Sequence, residues 1–179
     1  MIEAGLRVAG RASELRHEFD RSFAEPRFTG NSAIEDFLAI RLGAQDLAIR
    51  LSEIAGLFAD KKSTPVPDGG AALLGIAGFR RSIVPVYDLR KLMGIPGSAV
   101  TRWIVIVAAA PVALAFEAFE GQLRVSLDAV AAEHAQTKAH THTQGFVQSE
   151  KMLRPIIDLR SVLDVIKTSE RSTRLAPSQ

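Results

Sequence analysis

The sequence predicts a mainly β protein: two small β-barrels packed on a common core, with short helices and an N-terminal α-helix. Two observations and one physical constraint lead there. The stretch "PVYDLRKLM" (Pro85–Met93) returns as "PIIDLRSVL" (Pro155–Leu163), which places Asp88 and Asp158 70 residues apart, so one plan is used twice. Short apolar runs bounded by turn residues outnumber helical stretches. Strands that short leave exposed edges unless the sheet closes on itself, and closure gives small barrels.

Composition narrows the function classes. The chain has 179 residues, 47% hydrophobic and 23% charged, which suits one compact unit or two small ones sharing a core. Without cysteine it has no disulfide, thiol nucleophile or cysteine-held metal. The net charge is only +2, and the basic pairs Lys61-Lys62 and Arg80-Arg81 form no stripe, which argues against nucleic acid as a partner. The opening "MIEAGLRVAGRASELRHEFD" lacks the apolar heart of a secretion signal. The longest apolar run, Trp103–Phe116, is too short to cross a bilayer and is broken by Pro111. A soluble, cytoplasmic protein with no membrane insertion is expected.

The elements follow in order. Val8, Ala12, Leu15, Phe19 and Phe23 form one helical stripe, and Pro26 with Thr29–Ser32 ends it, so residues 1–34 read as a helical extension and linker. That helix either packs on its own domain or docks a partner. Phe37, Leu38, Ile40 and Leu42 make a strand, Gly43–Asp46 a turn, and Leu47–Leu51 the return strand. After "STPVPDGG", Leu73 and Leu74 begin another strand. Ile83–Tyr87 is a strand whose Pro85 belongs at an edge or bulge. Asp88 suits a helix N-cap, Leu89, Leu92 and Met93 bury one face, and Gly94 ends the helix. The second half repeats the plan: strands at Trp103–Val107 and Val112–Phe119, a mixed stretch, a strand at Met152–Ile157, then a helix capped by Asp158. The expected folded domain spans 35–167, and 168–179 reads as a flexible tail.

No reactive constellation stands out. His140 and His142, with His134 nearby, fall short of the convergent ligand set a metal needs. Gly70 and Gly75 have the outer spacing of a phosphate loop, but Ile76 stands where its lysine should be. No Gly-x-Ser-x-Gly elbow surrounds Ser52, Ser82 or Ser126. Capping explains Asp88 and Asp158 better than acid–base work. The expectation is a non-enzymatic binding protein with no cofactor and no metal.

Three stretches carry a family likeness: "FLAIRLGAQDLAIRLSEI", "GIAGFRRSIVPVYDLRKLMG" and "VALAFEAFEGQLRV". In order and spacing they resemble the CheW family of bacterial chemotaxis adaptors, over about Asp36 to Lys167. The resemblance implies two packed five-stranded SH3-like barrels and a scaffold between chemoreceptors and a CheA-type histidine kinase, whose regulatory domain has the same double barrel. It also implies membrane-proximal receptor arrays as the setting. By the same resemblance Arg80 faces the cytoplasmic tip of the receptor, and Ile54 and Phe119 line the groove that takes the helical tip, with Ala113 beside them. It assigns no kinase-binding residues. The pattern departs at Gly78, where asparagine is usual, and at Arg81, where glycine is usual. A diverged module that binds one partner only is therefore an alternative, and a small barrel binding a ligand or nucleic acid is another.

Overall fold

The computed structural model describes residues 33–67, 70–79, 82–97, 100–131, 142–149 and 152–175. The expected N-terminal helix lies outside them. The described chain forms eleven strands and two helices: β1 (Ile34–Leu42), β2 (Gln45–Arg50), β3 (Ile54–Ala59), β4 (Leu73–Phe79), β5 (Ser82–Asp88), α1 (Leu89–Leu92), β6 (Trp103–Val107), β7 (Ala113–Phe116), β8 (Ala118–Ser126), β9 (Val130–Ala131), β10 (Thr143–Ser149), β11 (Met152–Ile157) and α2 (Leu159–Leu175).

The strands sort into two sheets, ordered β8-β1-β2-β11-β10-β9 and β3-β6-β7-β5-β4. Each is a barrel. In the first, β8 and β9 are one bent strand interrupted by a 3₁₀ turn at Leu127–Ala129, so six assigned strands act as five. In the second, the chain after β3 reaches β4 through a bridge between Thr64 and Ile76. Gly75 (φ +141°) permits that bridge, because a Cβ there would fall 2.1 Å from the Thr64 carbonyl oxygen.

The repeat is threaded across the two barrels. Hairpin β1–β2 joins the late strands β8 to β11, and hairpin β6–β7 joins the early strands β3 to β5. Two parallel pairings make the exchange: Ile156 of β11 with Ala48 of β2, and Val86–Asp88 of β5 with Ala113–Ala115 of β7. The chain changes barrel at Leu51–Glu53 and again at Glu117. The strand expected over Val112–Phe119 is thus two strands in different sheets, and Phe119 belongs to the first barrel rather than to the β6–β7 hairpin.

Pro85 and Pro155 sit just before these parallel contacts, where β5 and β11 are paired on one side only, so neither proline deprives a neighbour of a ladder bond. β5 as a whole is interior to its sheet, and the edge character expected from Pro85 is local.

Alternation divides the apolar residues among three clusters. In β7, Leu114 and Phe116 face the core shared by the barrels, with Ile40, Leu42, Leu47, Val105 and Leu163. Ala113 and Ala115 face the interior of the second barrel with Val84, Val86 and Ile104. Phe37, Ala48, Val147 and Ile156 fill the first barrel, where Arg154 holds the place that Val84 holds in the second and pairs with Glu120 at 2.8 Å.

Both aspartates cap as expected. Asp88 accepts the amides of Arg90 and Lys91, and Asp158 those of Arg160 and Ser161. Gly94 (φ +68°) turns the chain out of α1. Helix α2 runs to Leu175, well into the segment expected as a flexible tail. Its extension is tied down where the Tyr87 hydroxyl donates to Glu170 at 2.8 Å, and burial beside that carboxylate pushes the phenol's pKa well up.

Candidate partner-binding cleft

The margin between the barrels carries a line of half-buried apolar side chains. On β3 and β6 the shared-core face holds Ile54, Leu57 and Trp103, with Ile54 opposite Val107 and Ala59 opposite Trp103. From the first barrel Phe119 reaches the same margin. Its ring lies 5.2 Å from that of Trp103, tilted by 59°, a favourable aromatic arrangement across the barrel boundary. Each of the four keeps some contact with solvent while resting on the core.

Ile54 and Phe119 therefore both lie along this margin, at the Val107 end and the Trp103 end of β6 respectively. Ala113 does not. It is 0% exposed and packs inside the second barrel with Val84, Val86 and Ile104. Arg80 lies outside the described residues, and the residues flanking Arg80-Arg81, Phe79 and Ser82, are register partners at the end of β4–β5. Trp103 escaped the sequence reading because "WIVIV" is apolar throughout, which hides which face each residue takes.

Charged groups stitch the junctions. The first motif's Arg90 is a buried arginine whose Nη2 pairs with Oε1 of Glu117, at the second barrel change. Glu117 Oε2 also accepts the Gly43 amide at 2.9 Å, so helix α1, the β1–β2 turn and the crossing strand meet at one carboxylate. The second motif's Arg160 is exposed. At the first barrel change Glu53 Oε2 is buried without a hydrogen-bond partner among the described residues, and burial pushes its carboxyl pKa up.

The histidine reading is partly visible. His142 Nδ1 lies 2.5 Å from the Ser161 hydroxyl, and His17, His134 and His140 lie outside the described residues. Among the described residues no three His, Asp or Glu side chains converge as a metal site, and no helix is long and apolar enough to cross a membrane.

A family model of the CheW-like domain matches residues 36–174. The chain belongs to the CheW-like family of chemotaxis adaptors. "Chemotaxis protein CheW" of Bacillus subtilis is 24% identical over 151 residues, which cover 81% of this chain and 94% of that protein. "Probable chemotaxis protein CheW" of Rhizobium etli is 25% identical over 79 residues, 44% of this chain and 51% of its own length, so the chain matches about half of that relative. The crystal structure of scaffolding protein TtCheW from Thermoanaerobacter tengcongensis superposes with a TM-score of 0.63 at 18% identity, covering 70% of this chain and 89% of that one. The CheW fold of two SH3-like barrels is the fold found here.

Proposed function

We propose that this chain is a non-enzymatic scaffold that holds the cytoplasmic tip of a chemoreceptor in the cleft between its barrels and a CheA-type histidine kinase elsewhere on its surface. The observation that carries the reading is the half-buried line of Ile54, Leu57, Trp103 and Phe119 in a CheW-like domain. A helical hairpin presents an apolar stripe, and such a line can bury it. Each side chain fully covered contributes roughly 1.5–3 kcal/mol before ordering costs. Arg80 fixes the register on the receptor through its fork of donors. Its place of work is the cytoplasmic side of receptor arrays, where many weak contacts add by multivalency.

The test is co-sedimentation of the full chain with receptor-containing membranes and with kinase. Arg80→Glu weakens sedimentation with receptor while kinase binding and the unfolding midpoint stay unchanged. Unaltered receptor binding removes Arg80 from the interface.

A further inference from the structure

The threaded repeat builds the same junction twice, and among the described residues an arginine pairs with the glutamate at one of them, Arg90 with Glu117. At each barrel change a glutamate follows a hairpin, beside the turn of the other hairpin and the first turn of a helix opened by Asp-Leu-Arg. At the second barrel change Glu117 is met by the Gly43 amide from the β1–β2 turn and by Arg90 from α1. At the first barrel change Glu53 lies beside Ala108 of the β6–β7 turn and Arg160 of α2, and its backbone carbonyl accepts the Ala108 amide at 2.9 Å. Yet Arg160 is exposed, Glu53 Oε2 has no hydrogen-bond partner among the described residues, and a cavity of about 300 Å³ lies there.

We propose that this cavity receives a lysine or arginine side chain from the helical receptor tip bound in the neighbouring cleft, in the place Arg90 occupies at the other junction. The inference rests on the cleft reading above. Val107 joins the two sites, since it is both the register partner of Ile54 and a wall of the cavity. Val107, Leu159 and Leu163 offer apolar walls to the methylene stem, and Glu53 offers a carboxylate to its charged end. The local charge favours a cation. Arg50 and Arg160 face Glu53, Glu35 and Asp158, and Arg50 is engaged by Glu35 at 2.8 Å. Two guanidinium groups against three carboxylates leave one negative charge. A hydrogen bond from a cation to a carboxylate is roughly twice as strong as one from a neutral donor.

The test uses the full chain and, as probe, a soluble fragment of a chemoreceptor tip from the same genome, titrated at low and high salt. Phe119→Ala reports on the cleft, and Glu53→Gln, close in shape, reports on the junction. The expected result is weaker binding for both variants. The Glu53→Gln loss is about tenfold at low salt and shrinks at high salt, and Arg160→Ala binds at least as well as the parent. If Phe119→Ala weakens binding and Glu53→Gln does not, the cation site is overturned and the cleft stands. If neither weakens binding, the cleft reading falls and takes this inference with it. If Arg160→Ala weakens binding as much as Glu53→Gln, Arg160 itself closes the junction and no partner side chain enters.

Discussion

Replacing Arg90 with alanine separates the two copies of Asp-Leu-Arg more sharply than any other substitution. Arg90 keeps 9% of its side-chain exposure and Glu117 keeps 18%. Removing one partner of a buried pair costs about 3–5 kcal/mol, because the other charge is left behind in poor solvent. Glu117 retains the Gly43 amide and some water, so the lower end applies, about 3 kcal/mol. Arg160 is exposed and takes part in no such pair among the described residues, so Arg160→Ala costs under about 0.5 kcal/mol. With a urea slope of about 2 kcal/mol per molar, Arg90→Ala lowers the midpoint by about 1.5 M and Arg160→Ala by less than about 0.3 M. The single tryptophan, Trp103, sits between the barrels against Phe119 and reports the transition by fluorescence. Combining Arg90→Met with Glu117→Leu recovers part of the loss, since an apolar pair of similar volume leaves no charge to desolvate although the Gly43 amide loses its acceptor. Equal midpoints for Arg90→Ala and Arg160→Ala, or no recovery in the double variant, would refute the assignment of Arg90 to a buried junction.

Two further outcomes are expected. Asp88→Ala and Asp158→Ala each remove a capping carboxylate that accepts two amides and cost about 1 kcal/mol apiece, read from urea midpoints at pH 7. Glu53 has a folded-state pKa raised by burial above the ordinary glutamate value of 4.5, so its ionised form costs stability at high pH and the cost fades as pH falls toward 4.5. Glu53→Gln is therefore more stable than the parent at pH 7 and equal to it below pH 4.5, as thermal midpoints across that range will show.

The local elements were legible because local chemistry decides them. The strand of Phe37 to Leu42, the cap at Asp88 and the stop at Gly94 each follow from residue type and spacing. The exchange of hairpins was not legible, because parallel pairings such as Ile156 with Ala48 leave no mark in either strand. The change of barrel at Glu117 was hidden by apolar residues on both sides. For the site, Ile54 and Phe119 entered through the family likeness, and both are half-buried against the core the barrels share. Ala113 entered the same way, and it is fully buried inside the second barrel. Identical motif letters also concealed that Arg90 is buried and Arg160 is not. The polar end of α2 looked like a tail because its anchor, Tyr87, is 83 residues away in sequence.

Because each barrel is completed by a hairpin lent from the other half of the chain, neither half is a separable part. A fragment cut between α1 and β6 would carry one hairpin with no sheet to enter and three strands with no hairpin to close them. Strain arriving at one barrel is therefore handed to the other through continuous backbone at Glu53 and Glu117. A scaffold built this way answers a pull on either face as one body.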